Sequence, residues 1–477
     1  MSVASSRPEA TRPVVVAKFG GSSVADAAKM RACAQRIIDE LRGSGGTARS
    51  VIVVVSAMGD STDELLELAG TVSGVANSDG VAIHDRREVD QLLATGENVS
   101  VAMMSLVLQS LGVPAVSLTG GQAGIRTDSA FGRASIIGIE TSRLLAELAA
   151  GKVPVVAGFQ GTTETGETTT LGRGGSDTTA VALAAAILTG GSQHGPARPA
   201  SCDIYKDVDG VFTADPRIVP EARRRAVVTY DELLEAAALG AQVIHPRAVE
   251  LAKKFGVPLR VLHSHKPSVG HGAVGTLVVA DESAMESRVV SSVVLKRNVG
   301  RVSIRGVANV AGVQARVFGP IAAASICVDD IIQEDDGPGT INLTFTVDRK
   351  DLAELTPIVQ RIVAALRETG GASSGCEAVR FDVGLSTVSV VGAGMRTSAG
   401  VASMLFESLA AEGIKVENIT TSEIRISCVV AEADGERALR ASHHAFGLHS
   451  QEVEEARSAK VTIKAQSGHA KPSPAKA

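Results

Sequence analysis

Residues Val51 to Val55 read Val-Ile-Val-Val-Val, an unbroken run of β-branched side chains. A strand that alternates apolar and polar residues hides one face. A continuous apolar run needs cover on both, which helices on either side of a parallel sheet supply. Val14 to Ala17 is a similar run, and Pro114 to Leu118, Val153 to Ala157, Cys202 to Tyr205 and Pro258 to Leu262 read as further strands. Helical stretches lie between them, from about Val24 to Leu41, from Thr62 onward, and over Ala-rich Thr178 to Leu188. Ser61 and Glu64 have capping-box spacing at the second of these. The alternation predicts an α/β fold, an αβα sandwich with a largely parallel sheet, and ligands at the carboxyl ends of its strands.

At roughly 100–200 residues per domain, 477 residues suggest about three domains. A polar stretch from Asp281 to Arg288 marks the first boundary, and an internal repeat follows it. Gly312, Val313, Phe318, Ile326, Val328 and Ile331 recur as Gly400, Val401, Phe406, Ile414, Val416 and Ile419. Each copy reads strand, glycine loop, helix, strand, then a further strand (Ile341 to Val347, Ile424 to Val430) and a helical stretch (Asp351 to Arg367, Asp434 to His444). Two ferredoxin-like βαββαβ units account for this. Neither holds a catalytic cluster, so they read as binding or pairing modules. The expected division is a disordered N-terminus over 1–13, an α/β domain over 14–285, repeat units over 286–370 and 371–462, and a disordered tail over 463–477.

A net charge of −5 and only 3% aromatic residues, with no Trp, argue against a nucleic-acid surface, which needs basic charge and stacking rings. The longest apolar stretch, Ala180 to Leu188, is too short to span a bilayer, and the N-terminus lacks a signal-peptide core. Cys33, Cys202, Cys327, Cys376 and Cys428 are odd in number and scattered, as idle thiols in a reducing compartment are. The expectation is a cytoplasmic protein with neither membrane nor nucleic-acid partners. His263, His265 and His271 lie in a Ser/Pro/Gly loop without acidic or Cys partners, so no metal site is expected there.

Three segments carry chemistry. Lys18-Phe19-Gly20-Gly21-Ser22-Ser23 joins a strand to a helix. Its glycines let backbone N–H groups approach a phosphate, and Lys18 adds a cation; a plain tight turn is the other reading. Thr168 to Ala180 holds Gly172, Arg173, Gly174, Gly175, Ser176 and Asp177 at the start of a helix. Arg173 can grip a carboxylate through two hydrogen bonds, and Asp177 can accept from an amine or order a nearby Lys. Two such loops suit two anionic ligands. Lys206 to Arg217 contains Asp207, Asp209 and Asp215 without the spacing of a calcium loop, so Asp-Gly and Asp-Pro turns are expected, and Phe212 and Arg217 could bracket a base or reach phosphates. Glu97 sits where a loop is expected to enter a helix.

Taken together these segments resemble the aspartate kinases of the amino-acid-kinase family. The likeness rests on KFGGSSV (18–24), VVVSAMGDSTDELL (53–66), TGE (95–97), GFQG (158–161), TTLGRGGSDTTA (169–180) and DVDGVFTADPR (207–217), and the repeat resembles paired ACT regulatory domains. The resemblance implies phosphoryl transfer from ATP, with Mg²⁺ carried by the nucleotide, to the side-chain carboxylate of L-aspartate. It implies catalytic roles for Lys18 and Asp177. ATP would meet Lys18, Phe19, Gly20, Gly21, Ser22, Ser56, Lys206, Asp207, Phe212, Arg217 and Gln242. Aspartate would meet Thr62, Glu97, Arg173, Gly174, Gly175 and Ser176, with Glu97 on the α-ammonium. An effector, lysine or threonine or both, would meet Asn309, Gly312, Asp329, Gln333 and Asn418, and the ACT units would pair the chain into a homo-oligomer. The sequence departs from the family where some relatives carry Lys and this chain has Gln242. It departs again at Lys206, often Thr or Ser, at Asn309, usually Asp, and at Cys327, often Asn. A kinase for another small carboxylate, or an amino-acid sensor, are the alternative readings.

Overall fold

A computed structural model of the chain describes residues 12–450 apart from 44–47, 74–84, 191–197, 242, 267–274, 281–288, 325 and 370–377. Gln242, His271, Cys376 and the expected domain junctions near 285 and 370 therefore lie outside the described residues, as do both terminal segments. The first part runs β1 (Val14–Phe19), α1 (Ala27–Arg42), β2 (Ser50–Val55), α2 (Ser61–Ser73), α3 (Arg86–Ser110), β3 (Ala115–Leu118), β4 (Ile125–Thr127), β5 (Ile136–Ile139), α4 (Ser142–Ala149), β6 (Val153–Ala157), β7 (Gln160–Thr162), β8 (Thr168–Thr170), α5 (Gly175–Thr189), β9 (Ala200–Lys206), β10 (Val227–Thr229), α6 (Tyr230–Ala238), α7 (Pro246–Phe255), β11 (Leu259–His263) and β12 (Gly275–Val279).

Eight strands form one sheet in the order β10-β12-β11-β9-β1-β2-β6-β3. All pairs are parallel except β11 with β12. Every residue of β1, β2 and β6 is buried. The two faces feed separate cores. Val14, Val16, Ile52 and Val54 pack with α5 and α7, while Ala17, Phe19, Val51, Val53 and Val55 pack with α1 and α3. Helix α5 is hidden on nearly all sides, which explains a sequence apolar all round beyond its first turn. Strands β5-β4-β7-β8 make a second sheet of three- and four-residue strands, too short to show a period in the sequence.

Two local expectations are corrected. Ser61 donates its hydroxyl to the Met58 carbonyl at 2.6 Å, and the Glu64 N–H bonds the Asp60 carbonyl, so no capping box forms there. The box occurs instead at Thr229 and Glu232, opening α6. Glu97 does not mark a helix entry. It lies in the middle of α3, because Gly96 is not a breaker: a Cβ there would come within 2.9 Å of the Ala57 Cβ. Helix α3 is long and apolar enough to cross a bilayer, but half of its most apolar stretch is buried and it carries the buried carboxylates Asp90 and Glu97. Those are features of a core helix.

The second part runs β13 (Ser292–Ala308), α8 (Val313–Ala323), β14 (Asp329–Asp335), β15 (Thr340–Asp348), α9 (Leu352–Thr369), β16 (Ala378–Val391), α10 (Val401–Ala411), β17 (Asn418–Ser422), β18 (Arg425–Ala431) and α11 (Gly435–Ala445). Its strands form one sheet, β14-β15-β13-β16-β18-β17. The two repeats share their long strands. Val299 to Ala308 of β13 pairs with β15, and Arg301 to Arg305 with Ala378 to Asp382 of β16, closing the first unit. Ser292 to Lys296 pairs with Thr387 to Val391 of β16, which also carries β18 in the second unit. The second unit thus takes a strand from ahead of the first.

This unit docks on the α/β domain. Ala214 and Val219 join the core made by Val388, Leu405 and Leu439. The Val293 N–H bonds the Thr213 carbonyl at 2.8 Å, and Thr213 Oγ1 shares a hydrogen bond of 3.0 Å with buried His443. Burial, with His449 and His444 close by and only Glu221 opposing, pulls His443 down to about 4. The Lys206–Arg217 segment is therefore held from below by the repeat region.

Candidate active site

Strand β1 delivers Lys18 to the carboxyl edge of the sheet, with only 4% of its surface exposed. The next residues turn through Gly20 and a short 3-10 segment, Gly21–Ser23. This turn is laced to the loop after β2: the Ser56 N–H bonds the Phe19 carbonyl, and the Gly59 N–H bonds the Gly21 carbonyl, both at 3.1 Å. A Cβ at Gly21 would lie 2.8 Å from the Ala57 carbonyl oxygen, so only glycine permits the approach. His265 Nε2 lies 3.0 Å from the Ser23 carbonyl and ties the end of β11 to the same turn. Phe19 is wholly buried and stacks on Tyr205 at 4.6 Å, so what it offers a ligand is its backbone. Ser22 is exposed and Ser56 half-buried.

Lys18 meets Asp177 at 2.6 Å, and Lys206, at the end of β9, reaches the other oxygen of the same carboxylate at 3.5 Å. Asp177 sits in the first turn of α5, where helix-terminal N–H groups also favour an anion. Burial pushes its carboxyl up, but the two lysines and the His245 N–H outweigh this and hold it well below the usual carboxylate range. Lys206 is pulled down by burial and by Lys18, against the pull of Asp177. Two ammonium groups thus face one carboxylate in a buried setting where charges act strongly.

Glu97 completes the cluster from α3. Its Oε1 accepts from the Ala57 N–H at 3.0 Å, while Oε2 is buried with no partner among the described residues. Burial raises it to about 7, against the pull of the Ala57 N–H, its own N–H and Lys18. A buried carboxylate oxygen without a donor suits a cationic ligand group.

The glycine-rich loop between β8 and α5 turns at Gly174, in the left-handed region at φ +71°. Arg173 beside it is exposed and makes no hydrogen bond or ion pair with a described residue. Ser176 is buried against Gly158, where a Cβ would fall 2.7 Å from the Ser176 Cβ. Thr62 lies half-buried in the first turn of α2. At the far edge Asp207 is exposed, Phe212 is half-buried, and Arg217 is held by Asp215 (2.7 Å) in the expected Asp-Pro turn. The structure thus unites Lys18, Lys206, Asp177 and Glu97 with both glycine loops, and leaves Arg217 on the rim.

Sequence reasoning missed three residues around this cluster: Asp90, His245 and Arg247. Asp90 was one acid among many in a helical stretch and carried no signal. His245 and Arg247 flank Pro246, and a proline at a helix start was the available cue.

Of the residues expected to meet an effector, Asn309, Gly312 and Gln333 are exposed in the first repeat unit, where Gln314 donates to Gln333 at 2.8 Å. Asp329 pairs with Lys296 at 3.3 Å. Asn418 lies in the second unit with its Nδ2 buried and without a partner among the described residues.

Known proteins share this sequence and fold. Residues 13–263 match the model of the amino acid kinase family, and 388–446 match an ACT domain. The chain is 43% identical over 437 residues to an aspartokinase of Pseudomonas aeruginosa, covering 91% of this chain and 98% of that one. It is 42% identical over 435 residues to aspartokinase 2 of Bacillus subtilis, covering 91% and 98%. Among solved structures, E. coli aspartokinase III in complex with aspartate and ADP superimposes with a TM-score of 0.71 at 26% identity, over 91% of this chain and 99% of that one. The same enzyme in complex with lysine and aspartate gives a TM-score of 0.66.

Proposed function

The chain belongs to the amino acid kinase family, among its aspartate kinases, and we propose how its buried cluster performs the transfer of a phosphoryl group from ATP to the side-chain carboxylate of L-aspartate. The product is 4-phospho-L-aspartate, the first step from aspartate toward lysine, threonine and methionine. The observation that carries the site assignment is one carboxylate, Asp177, gripped by Lys18 and Lys206 at the mouth of α5.

The acceptor carboxylate has a reference pKa of about 3.9, so it is ionised at neutral pH and needs no general base. Its oxygen forms a bond to the γ-phosphorus as the bond to the β-phosphate oxygen breaks, and no proton moves. The barrier is the approach of one anion to another. Lys18 and Lys206 neutralise charge on the phosphates, and Asp177 holds both ammonium groups in place. The Gly20–Ser22 turn, Ser56, Asp207, Phe212, Arg217 and Gln242 serve the nucleotide. Glu97 takes the α-ammonium of aspartate, Arg173 a substrate carboxylate, and Thr62 and Gly174 to Ser176 close around it. Mg²⁺ would enter with the nucleotide and neutralise phosphate charge, and Asp177, held by Lys18 and Lys206, would not be free to ligate it.

Purified protein with ATP, Mg²⁺, aspartate and hydroxylamine yields aspartyl hydroxamate; no colour above the enzyme-free control would defeat the reading. A second result concerns Glu97. Only its ionised form attracts an ammonium group, so aspartate KM rises as pH falls below about 7, where the raised carboxyl takes up its proton. In Glu97→Gln the KM is high throughout and this pH dependence disappears. A wild-type pH profile surviving in that variant would remove Glu97 from the aspartate site.

The regulatory reading follows the expected division, with the kinase domain over 14–285 and ACT units over 286–370 and 371–462, except that Ser292 to Lys296 completes the second unit rather than the first. Lysine, threonine or both act as effector at Asn309, Gly312, Asp329, Gln333 and Asn418. A cleft of about 450 Å³ in the second unit, lined by Met395, Ser398, Val401, Thr421 and Ser422, adds room for a small polar ligand. Among the described residues, edge strands β14 and β17 each leave one side unpaired, which supports assembly into a homo-oligomer.

A further inference from the structure

Asp90 is only 1% exposed, yet it touches no other charge in the site. Its carboxylate accepts from three donors: the Gly132 N–H (2.9 Å), the Thr170 N–H (2.7 Å) and the Thr170 hydroxyl (2.6 Å). On the same strip of backbone, Arg247 donates to the Leu171 carbonyl at 3.0 Å and the Ala134 carbonyl at 3.1 Å. The Ala134 N–H bonds the Thr170 carbonyl, and the Leu171 N–H bonds the Phe159 carbonyl, both at 2.8 Å. Each backbone polar group of Thr170 and Leu171 is therefore bonded, with an acid serving the donors and a guanidinium an acceptor. Two residues later comes Arg173, exposed and without a partner among the described residues.

Asp90 and Glu97 belong to one helix, α3, seven positions and so about 10 Å apart along its axis. One rigid element thus presents Glu97 directly and anchors, through Asp90, the root of the loop that carries Arg173. Resting on the aspartate reading above, we propose that Asp90 is a positioning residue for substrate binding: it fixes the root of the Arg173 loop to the helix that presents Glu97. Arg247 holds the opposite side of the same strip. Neither residue touches the reacting atoms.

The test is a double-mutant cycle on steady-state kinetics with the full chain. Asp90→Asn replaces an oxygen that accepts with an amide that donates toward another donor. It raises aspartate KM about tenfold, the scale of one lost charge-assisted hydrogen bond, while ATP KM stays within about twofold. Arg173→Ala raises aspartate KM as well. If Asp90 acts through Arg173, the double variant is no worse than Arg173→Ala alone. A wild-type aspartate KM in Asp90→Asn, an equal rise in ATP KM, or full additivity with Arg173→Ala would each overturn the proposal. Should Asp90→Asn not be recovered folded, Thr170→Val removes a single donor and is judged by the same criteria. The wild-type protein is assayed beside them: no aspartyl hydroxamate from it refutes the kinase reading itself, whereas an active wild type with an indifferent Asp90 variant refutes only the positioning role.

Discussion

Lys18→Ala lowers kcat by about three orders of magnitude, close to 4 kcal/mol of transition-state stabilisation. The lost group is buried, within 2.6 Å of Asp177, and one of two cations in the pocket. Removing it takes one of two ammonium groups from beside Asp177, when charge is spreading across the transferring phosphoryl. Lys206 remains at 3.5 Å from Asp177 and keeps the loss from being larger. Aspartate KM moves far less than kcat, because Glu97 and Arg173 are untouched. The check is a coupled assay for ADP release at saturating ATP; turnover at the wild-type rate would take Lys18 out of the mechanism.

Gly174→Ala lowers kcat/KM at least about a hundredfold, although it adds only one methyl group. Part of the effect is the left-handed backbone at φ +71°, which costs an L-residue with a Cβ roughly 1–2 kcal/mol. The larger part is space: the new carbon would lie 2.0 Å from Cγ of His245. That ring has little freedom. The backbone N–H of His245 bonds Asp177 at 3.3 Å, and the ring Nδ1 accepts from the Arg247 N–H at 3.4 Å. Relief therefore displaces either the Arg173 loop or the carboxylate that holds both lysines. Gly112→Ala is the matched control, with φ +80° but nothing within 4 Å of the added carbon. It leaves the kinetics as they are and lowers the melting temperature slightly. Equal kinetics for the two variants would show that the loop does not lie against His245.

The sheet was legible because its central strands are apolar on both faces, as strands covered on both sides are. Both glycine loops were legible because each stands between a strand and a helix start, with charged residues no ordinary turn requires. Glu97 was found as a residue but misplaced, since Gly96 looked like a break when it is an approach point between α3 and the Ala57 loop. Asp90 carried no signal and Arg247 only the cue of Pro246 beside it: apart from the Thr170 hydroxyl their partners are backbone atoms 42 to 113 positions away, and backbone atoms leave no mark in a sequence. The repeat was visible as spacing, but which strand pairs with which was not. Register between distant strands is set by packing after the chain has collapsed.

That pairing has an evolutionary corollary. Because Ser292 to Lys296 completes the downstream unit, a gene fragment encoding residues 371 onward lacks a piece of its own sheet. Recombination cannot insert, delete or exchange one of these units by itself without leaving a raw edge on the survivor. The pair is a single heritable block, to be acquired or lost whole, and any truncated transcript meant to yield a stable sensor on its own has to begin upstream of Ser292.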